Sequence, residues 1–150
     1  MLSPRIAVGP QVVPGDMAAL RDRGYRSLIV NRPDGEAADQ PDFATLREAA
    51  AAAGIEARHI PVAGGMIRDS DVTAFGTALE EMPGPVMACC RSGMRSATLW
   101  ALSQVGRMPA AQILAAAGAA GYDLSDVARR MSDSGVAPPM QQGTLRSRST

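Results

Sequence analysis

The sequence predicts a single α/β domain whose mostly parallel central sheet, of about four to five strands, is flanked by helices. Three observations carry this. Short β-branched runs alternate with segments of helical period along the chain. Gly and Pro punctuate the junctions between them. The helices fall between the strands, which is the rhythm of βαβ units and of a sheet covered on both faces. A length of 150 residues suits one domain with its own core.

The elements follow in order. Ile6 to Val8 is a short extended stretch, with Val12 and Val13 nearby. Pro14-Gly15-Asp16 opens a helix, with Asp16 as its cap, and Gly24 ends it. Ser27 to Val30 is a compact strand stopped by the turn-rich cluster Asn31-Arg32-Pro33-Asp34-Gly35. Phe43, Leu46, Ala50 and Ala53 recur at spacings of three and four on a helix that Gly54 closes. Ile55 to Val62 reads as the next strand and Ala63-Gly64-Gly65 as a flexible loop. Val72, Phe75, Leu79 and Met82 form another helical stripe between Asp69 or Ser70 and Pro83-Gly84. Pro85 to Cys89 has the unbroken apolar character of a buried central strand. Ser96 to Val105 is a helix with Leu99 and Leu102 inward, and Pro109 to Ala120 and Leu124 to Met131 are two more. The domain therefore spans residues 1–131, and the apolar-poor stretch over 132–150 reads as a disordered C-terminal tail.

Composition narrows the function. The formal net charge is zero and only 3% of residues are aromatic, so no basic stripe interleaved with stacking rings exists for nucleic acid. No apolar run reaches the length of a membrane span, and the first residues lack the apolar stretch of a signal peptide. The expected compartment is the cytoplasm. Cys89 and Cys90 are the only cysteines; as sequence neighbours they suit free thiols better than a structural disulfide. His59, the single histidine, with two adjacent cysteines does not make zinc-site spacing. No metal and no organic cofactor is expected.

The chemistry concentrates in Cys90-Arg91-Ser92-Gly93-Met94-Arg95, between a strand and a helix. A nucleophilic cysteine works as thiolate. Unpaired N–H groups and the positive end of a helix dipole at such a junction stabilise that anion. Gly93 lets the backbone curl so that successive N–H groups converge. Arg95 supplies a planar fork for an oxyanion, and Arg91 a second charge at the rim. Ser92 and Ser96 offer hydroxyls to the thiolate or the bound anion. Met94 lines the mouth with a flexible apolar chain, and Arg32, beyond another strand, is in reach of the same anion or pairs with Asp34 or Glu36. Cys90 and Arg95 are thus the expected catalytic residues; Arg91, Ser92, Gly93, Met94, Ser96 and Arg32 are the expected substrate-binding ones. Cys89, which strand alternation points away from Cys90, reads as a buried packing residue, with a thiol that resolves oxidised Cys90 as the alternative; His59 reads as structural.

The stretch Cys90 to Ser96 resembles the active loop of rhodaneses, Cys-Arg-x-Gly-x-Arg. With Asn31 to Glu36, Ile60-Pro61-Val62 and Cys90 to Leu102, the chain more closely resembles the bacterial sulfurtransferases called beta-lactamase hydrolase-like, phosphatase-like domains. That resemblance implies a dual-specificity-phosphatase-like fold and transfer of a sulfane sulfur from thiosulfate or a small persulfide through a Cys90 persulfide. It also implies a persulfide dioxygenase or a thiol-carrier protein as partner. The competing chemistry is phosphoester hydrolysis, whose loop is Cys-x-x-Gly-x-x-Arg. Counted from Cys90 the glycine fits and Arg95 comes one residue early. Counted from Cys89 the arginine fits and the glycine comes one residue late. A phosphatase also needs a proton donor for its leaving group, and Ala63-Gly64-Gly65-Met66 carries no acid. Asp69 and Asp71 read as helix-start residues. Sulfur transfer is therefore the expected activity, phosphatase the alternative, and a non-catalytic sulfur- or anion-sensing module the third reading.

Overall fold

The computed structural model describes residues 1–64 and 66–135. Four strands, β1 (Ile6–Gly9), β2 (Ser27–Val30), β3 (Glu56–His59) and β4 (Val86–Cys89), form one sheet in the order β1-β4-β2-β3. Every pairing is parallel. The last rung runs Gly9, Cys89, Val30, His59, so the loops after all four strands leave from one edge, where ligands of such sheets collect.

The two-residue period of the strands sorts their side chains. Ala7, Leu28, Val30 and Cys89 face a core completed by Met17 and Leu20 of α1 (Met17–Asp22) and Leu46 and Ala50 of α2 (Phe43–Ala52). Ile6, Ile29, Val86 and Ala88 face the other core. There they meet Phe75 and Leu79 of α3 (Asp69–Glu81), Leu99 and Trp100 of α4 (Met94–Ser103), Ile113 of α5 (Ala110–Ala119) and Met131 of α6 (Ala128–Gly135). The parallel sheet flanked by helices is the architecture the sequence predicts.

Four boundaries differ for identifiable reasons. Pro14–Asp16 is a 3-10 turn, and the Asp16 carboxylate accepts the Val13 N–H (2.9 Å) instead of capping α1 with its side chain. β3 stops at His59 rather than Val62, because Ile60 and Val62 donate their N–H groups to the carbonyls of Val30 and Asn31 as the chain turns over the sheet edge. α4 begins at Met94, two residues before the expected start, since Gly93 in the left-handed region (φ 97°) ends the loop and starts the helix. α6 continues to Gly135, past the expected start of the tail at Ser132; residues 136–150 of that tail, and Gly65 of the glycine loop, lie outside the described residues.

Candidate active site

β4 delivers Cys90 to the middle of the sheet edge, flanked by the loops after β1 and β2. The Cys90 N–H reaches the Gly9 carbonyl (3.4 Å), and its side chain is 1% exposed. The chain then curls through Arg91 and Ser92, and the Gly93 N–H points back at the Cys90 Sγ at 3.1 Å. Sulfur on the floor of a loop that opens directly into α4 has the geometry in which backbone N–H groups hold an anion.

Gly93 is required twice over. Its φ of 97° is strained for any residue with a Cβ. A Cβ there would also overlap the hydroxyl of Tyr122, which lies after α5 and donates to the Ser92 carbonyl (3.2 Å). Tyr122 therefore braces the loop from outside. Burial, and then the nearby Cys90 sulfur, push its phenol up from the usual value, so it stays a protonated donor.

Arg95, in the first turn of α4, sits among three loops. Its Nη1 donates to Glu36 Oε2 (2.8 Å) and to the Val62 carbonyl (2.8 Å), and its Nη2 donates to Glu36 Oε1 (2.9 Å). Glu36 Oε1 also accepts the Nε–H of Arg32 (3.1 Å), whose Nη1 donates to Gln11 Oε1 (3.3 Å). Gln11, Arg32, Glu36, Arg95 and Val62 thus tie together the loops that follow all four strands. The Arg95 hydrogen bonds, reinforced by Arg32, hold the Glu36 carboxyl below its usual 4.5. The Glu36 hydrogen bond in turn holds Arg95 more firmly charged, and the Cys90 sulfur acts on the same guanidinium.

The two thiols have different surroundings. Cys89 is fully buried against the α1–α2 core, and burial pushes its thiol up to about 11. It packs, as the strand alternation predicts. His59 stacks on Phe43 (centroids 4.7 Å apart, planes within 9°), and its Nε2 lies 2.9 Å from the Arg32 carbonyl. Asp71 accepts the Arg68 N–H and Asp69 pairs with Arg130, both in the first turn of α3.

The other expected site residues separate. Arg91 is exposed and its carbonyl accepts the Gln11 N–H (3.4 Å). The Ser92 hydroxyl accepts the Met94 N–H (3.3 Å), and Met94 is 40% exposed. Ser96 corrects its expectation: it is buried and donates to Asn31 Oδ1 (2.8 Å), while Asn31 Nδ2 donates to the Ile60 carbonyl (3.0 Å). Its hydroxyl therefore braces α4 against the β2 and β3 loops and is committed away from thiolate and anion. Arg32 is nearly buried, occupied by Glu36 and Gln11. Glu36 as the partner of Arg95, Gln11, Asn31 and Tyr122 went unmarked as site residues in the sequence. Glu36 and Asn31 lie in turn clusters whose partners are distant in the chain, and Tyr122 carries no local motif. Among the described residues no group of three His, Cys, Asp or Glu could hold a metal ion, and no helix is long and apolar enough to cross a membrane.

A cysteine at the floor of a strand–loop–helix cradle on a four-stranded parallel sheet defines the class of phosphatase-like α/β domains. The same architecture appears in the protein-tyrosine phosphatase Tk-PTP, at a TM-score of 0.66 and 13% identity over 90% of this chain and 93% of that one. A candidate phosphatase of Neisseria meningitidis (nma1982) superposes at a TM-score of 0.81, with 32% identity over 89% of this chain and 96% of that one. The chain belongs to the family described as beta-lactamase hydrolase-like protein, phosphatase-like domain, which matches residues 1–107. Beta-lactamase hydrolase-like proteins of Agrobacterium fabrum and Xylella fastidiosa are each 34% identical, over 92% and 95% of the chain. The chain spans about a third of their length (32% and 33%).

Proposed function

We propose that the chain is a cysteine-dependent sulfurtransferase. The observation that supports this reading is the state of the carboxylate at the loop: Glu36 is clamped between Arg95 and Arg32 and held ionised. A carboxyl locked as carboxylate is a poor proton donor, and a phosphoester leaving group needs one. Asp69 and Asp71 are engaged at the start of α3. Sulfur transfer has no such requirement. The Cys90 thiolate attacks the outer sulfur of thiosulfate, the S–S bond breaks, and sulfite departs with the electron pair. With a small persulfide as donor, the departing group is the thiolate. The terminal sulfur then rests on Cys90 as a persulfide within the cradle. An acceptor thiolate, sulfite or cyanide attacks that sulfur and regenerates the Cys90 thiolate. No proton, metal or outside electron enters either step. The Cys90 to Arg95 spacing, one residue shorter than the phosphatase loop, agrees with a compact sulfane group.

Phosphoester hydrolysis through the same Cys90 is the second reading, and it is the one the solved relatives favour, since nma1982 and Tk-PTP are both named in phosphatase terms. One experiment separates them. The protein and its Cys90→Ser variant are treated with thiosulfate and with glutathione persulfide, and the intact mass is read; p-nitrophenyl phosphate is offered in parallel. A single added sulfur that disappears in Cys90→Ser, without phosphate release, is the expected result. Cys90-dependent phosphate release without a sulfur adduct would make the chain a phosphatase. A persulfide dioxygenase or thiol-carrier protein as the partner of this transfer, and a cytoplasmic setting, belong to the same proposal.

A further inference from the structure

An arginine that grips a substrate must keep one edge of its guanidinium free and aimed. Arg95 has five N–H groups. Glu36 takes the end-on pair, one on Nη1 and one on Nη2, and the Val62 carbonyl takes the second on Nη1. What remains is the side-on pair, Nε–H and the other Nη2–H, two parallel donors suited to one more bidentate anion. Arg95 lies in the first turn of the helix into which the Cys90 loop opens, and its charge is strengthened first by Glu36 and then, more weakly, by the Cys90 sulfur. Glu36 is itself anchored from behind by Arg32, which Gln11 holds in turn.

We propose that Glu36 is a positioning residue: it holds Arg95 by its end-on edge so that the side-on edge faces the anion at Cys90. This rests on Arg95 being the ligand of that anion, which the sulfur and phosphate readings share. Net charge alone makes the opposite prediction. Removing a carboxylate leaves the pocket more positive, so an anion would be drawn in more strongly. Positioning says the reverse, because an unaimed guanidinium cannot offer two parallel donors at a fixed place.

The test needs no knowledge of the natural substrate. Alkylation of Cys90 is followed with iodoacetate, an anion, and iodoacetamide, its neutral analogue, in the full chain, with the labelled site confirmed by peptide mass. The ratio of the two rate constants reads how well the pocket seats an anion beside the sulfur, whatever the intrinsic reactivity of the thiol. Glu36→Gln is expected to lower this ratio about tenfold, the worth of one well-aimed charge-assisted hydrogen bond. Glu36→Ala should lower it in the same direction, and a cooperative thermal transition shows that each variant folds. A ratio that stays level or rises in a folded Glu36 variant overturns the proposal. Arg95→Lys serves as the reference, since it removes the fork but keeps the charge. If Arg95→Lys leaves the ratio intact, the reading of Arg95 as anion ligand fails. If Arg95→Lys lowers it while Glu36→Gln does not, the role of Glu36 alone fails.

Discussion

Replacing Gly93 by alanine would separate two costs that the structure superimposes at one atom. The first is conformational: φ at Gly93 is 97°, and a residue with a Cβ in the left-handed region loses roughly 1–2 kcal/mol. The second is steric, with the new methyl overlapping the Tyr122 hydroxyl and 2.7 Å from its Cζ. The phenol is the free end of a side chain, so it relieves the clash by swinging away. That forfeits its hydrogen bond to the Ser92 carbonyl, worth about 1 kcal/mol. Together Gly93→Ala should cost about 2–3 kcal/mol and lower Tm by about 5–10 °C in a chain of this size. In a Tyr122→Ala background only the conformational part remains, so the coupling in a double-mutant cycle should be about 1 kcal/mol. Urea denaturation of the four proteins measures it. Equal costs for Gly93→Ala in both backgrounds would refute the contact between Tyr122 and the loop.

Three further outcomes concern the same loops and the cysteine pair. Asn31→Ala strands the buried Ser96 hydroxyl and the Ile60 carbonyl, a loss of about 1–3 kcal/mol; Asn31→Ala with Ser96→Ala should cost less than the two single changes summed, again by urea denaturation. Native protein treated with iodoacetamide at pH 8 should be labelled at Cys90, on the sheet-edge loop, and not at Cys89, which packs in the α1–α2 core and whose thiol is pushed up to about 11. Both cysteines should label in urea, and peptide mapping of a native Cys89 adduct would contradict this. Glu36 has a folded pKa below its usual 4.5, so the stability from its ion pairs is present above that pH and lost as pH falls through the folded value. The margin of wild type over Glu36→Gln in denaturation midpoint should therefore be full at pH 7 and shrink toward pH 3.

The loop from Cys90 to Arg95 was legible because everything that defines it is local: an apolar strand, a glycine for the left-handed turn, and a helix beginning at once. The strand β2 was likewise legible from its compact β-branched run, Ser27 to Val30, though which of its residues face which core was not, since all four are buried. What the local pattern could not carry is distance along the chain. Glu36 lies 59 residues from Arg95 and Tyr122 30 residues from Ser92, and neither position differs in periodicity from an ordinary surface residue. Strand order was equally silent: nothing in the run of residues says that β4 inserts between β1 and β2. Ser96 was misjudged although the signal was present. It stands three and four residues before Leu99 and Trp100, on the same inward stripe of α4, so its hydroxyl had to find a partner inside the protein.

Tyr122 lies beyond residue 107, where the match to the family ends, yet its ring rests on the glycine at the heart of the loop. Ile113, Ala117, Leu124 and Met131 from the same region fill the core beneath Trp100. A protein shortened at Arg107 would retain all six residues from Cys90 to Arg95 and still lose the wall against which that loop is cast. It would also bare a greasy flank on α4 and invite self-association. Anyone transplanting this loop and its sheet into another polypeptide should therefore carry the segment through Met131 with it.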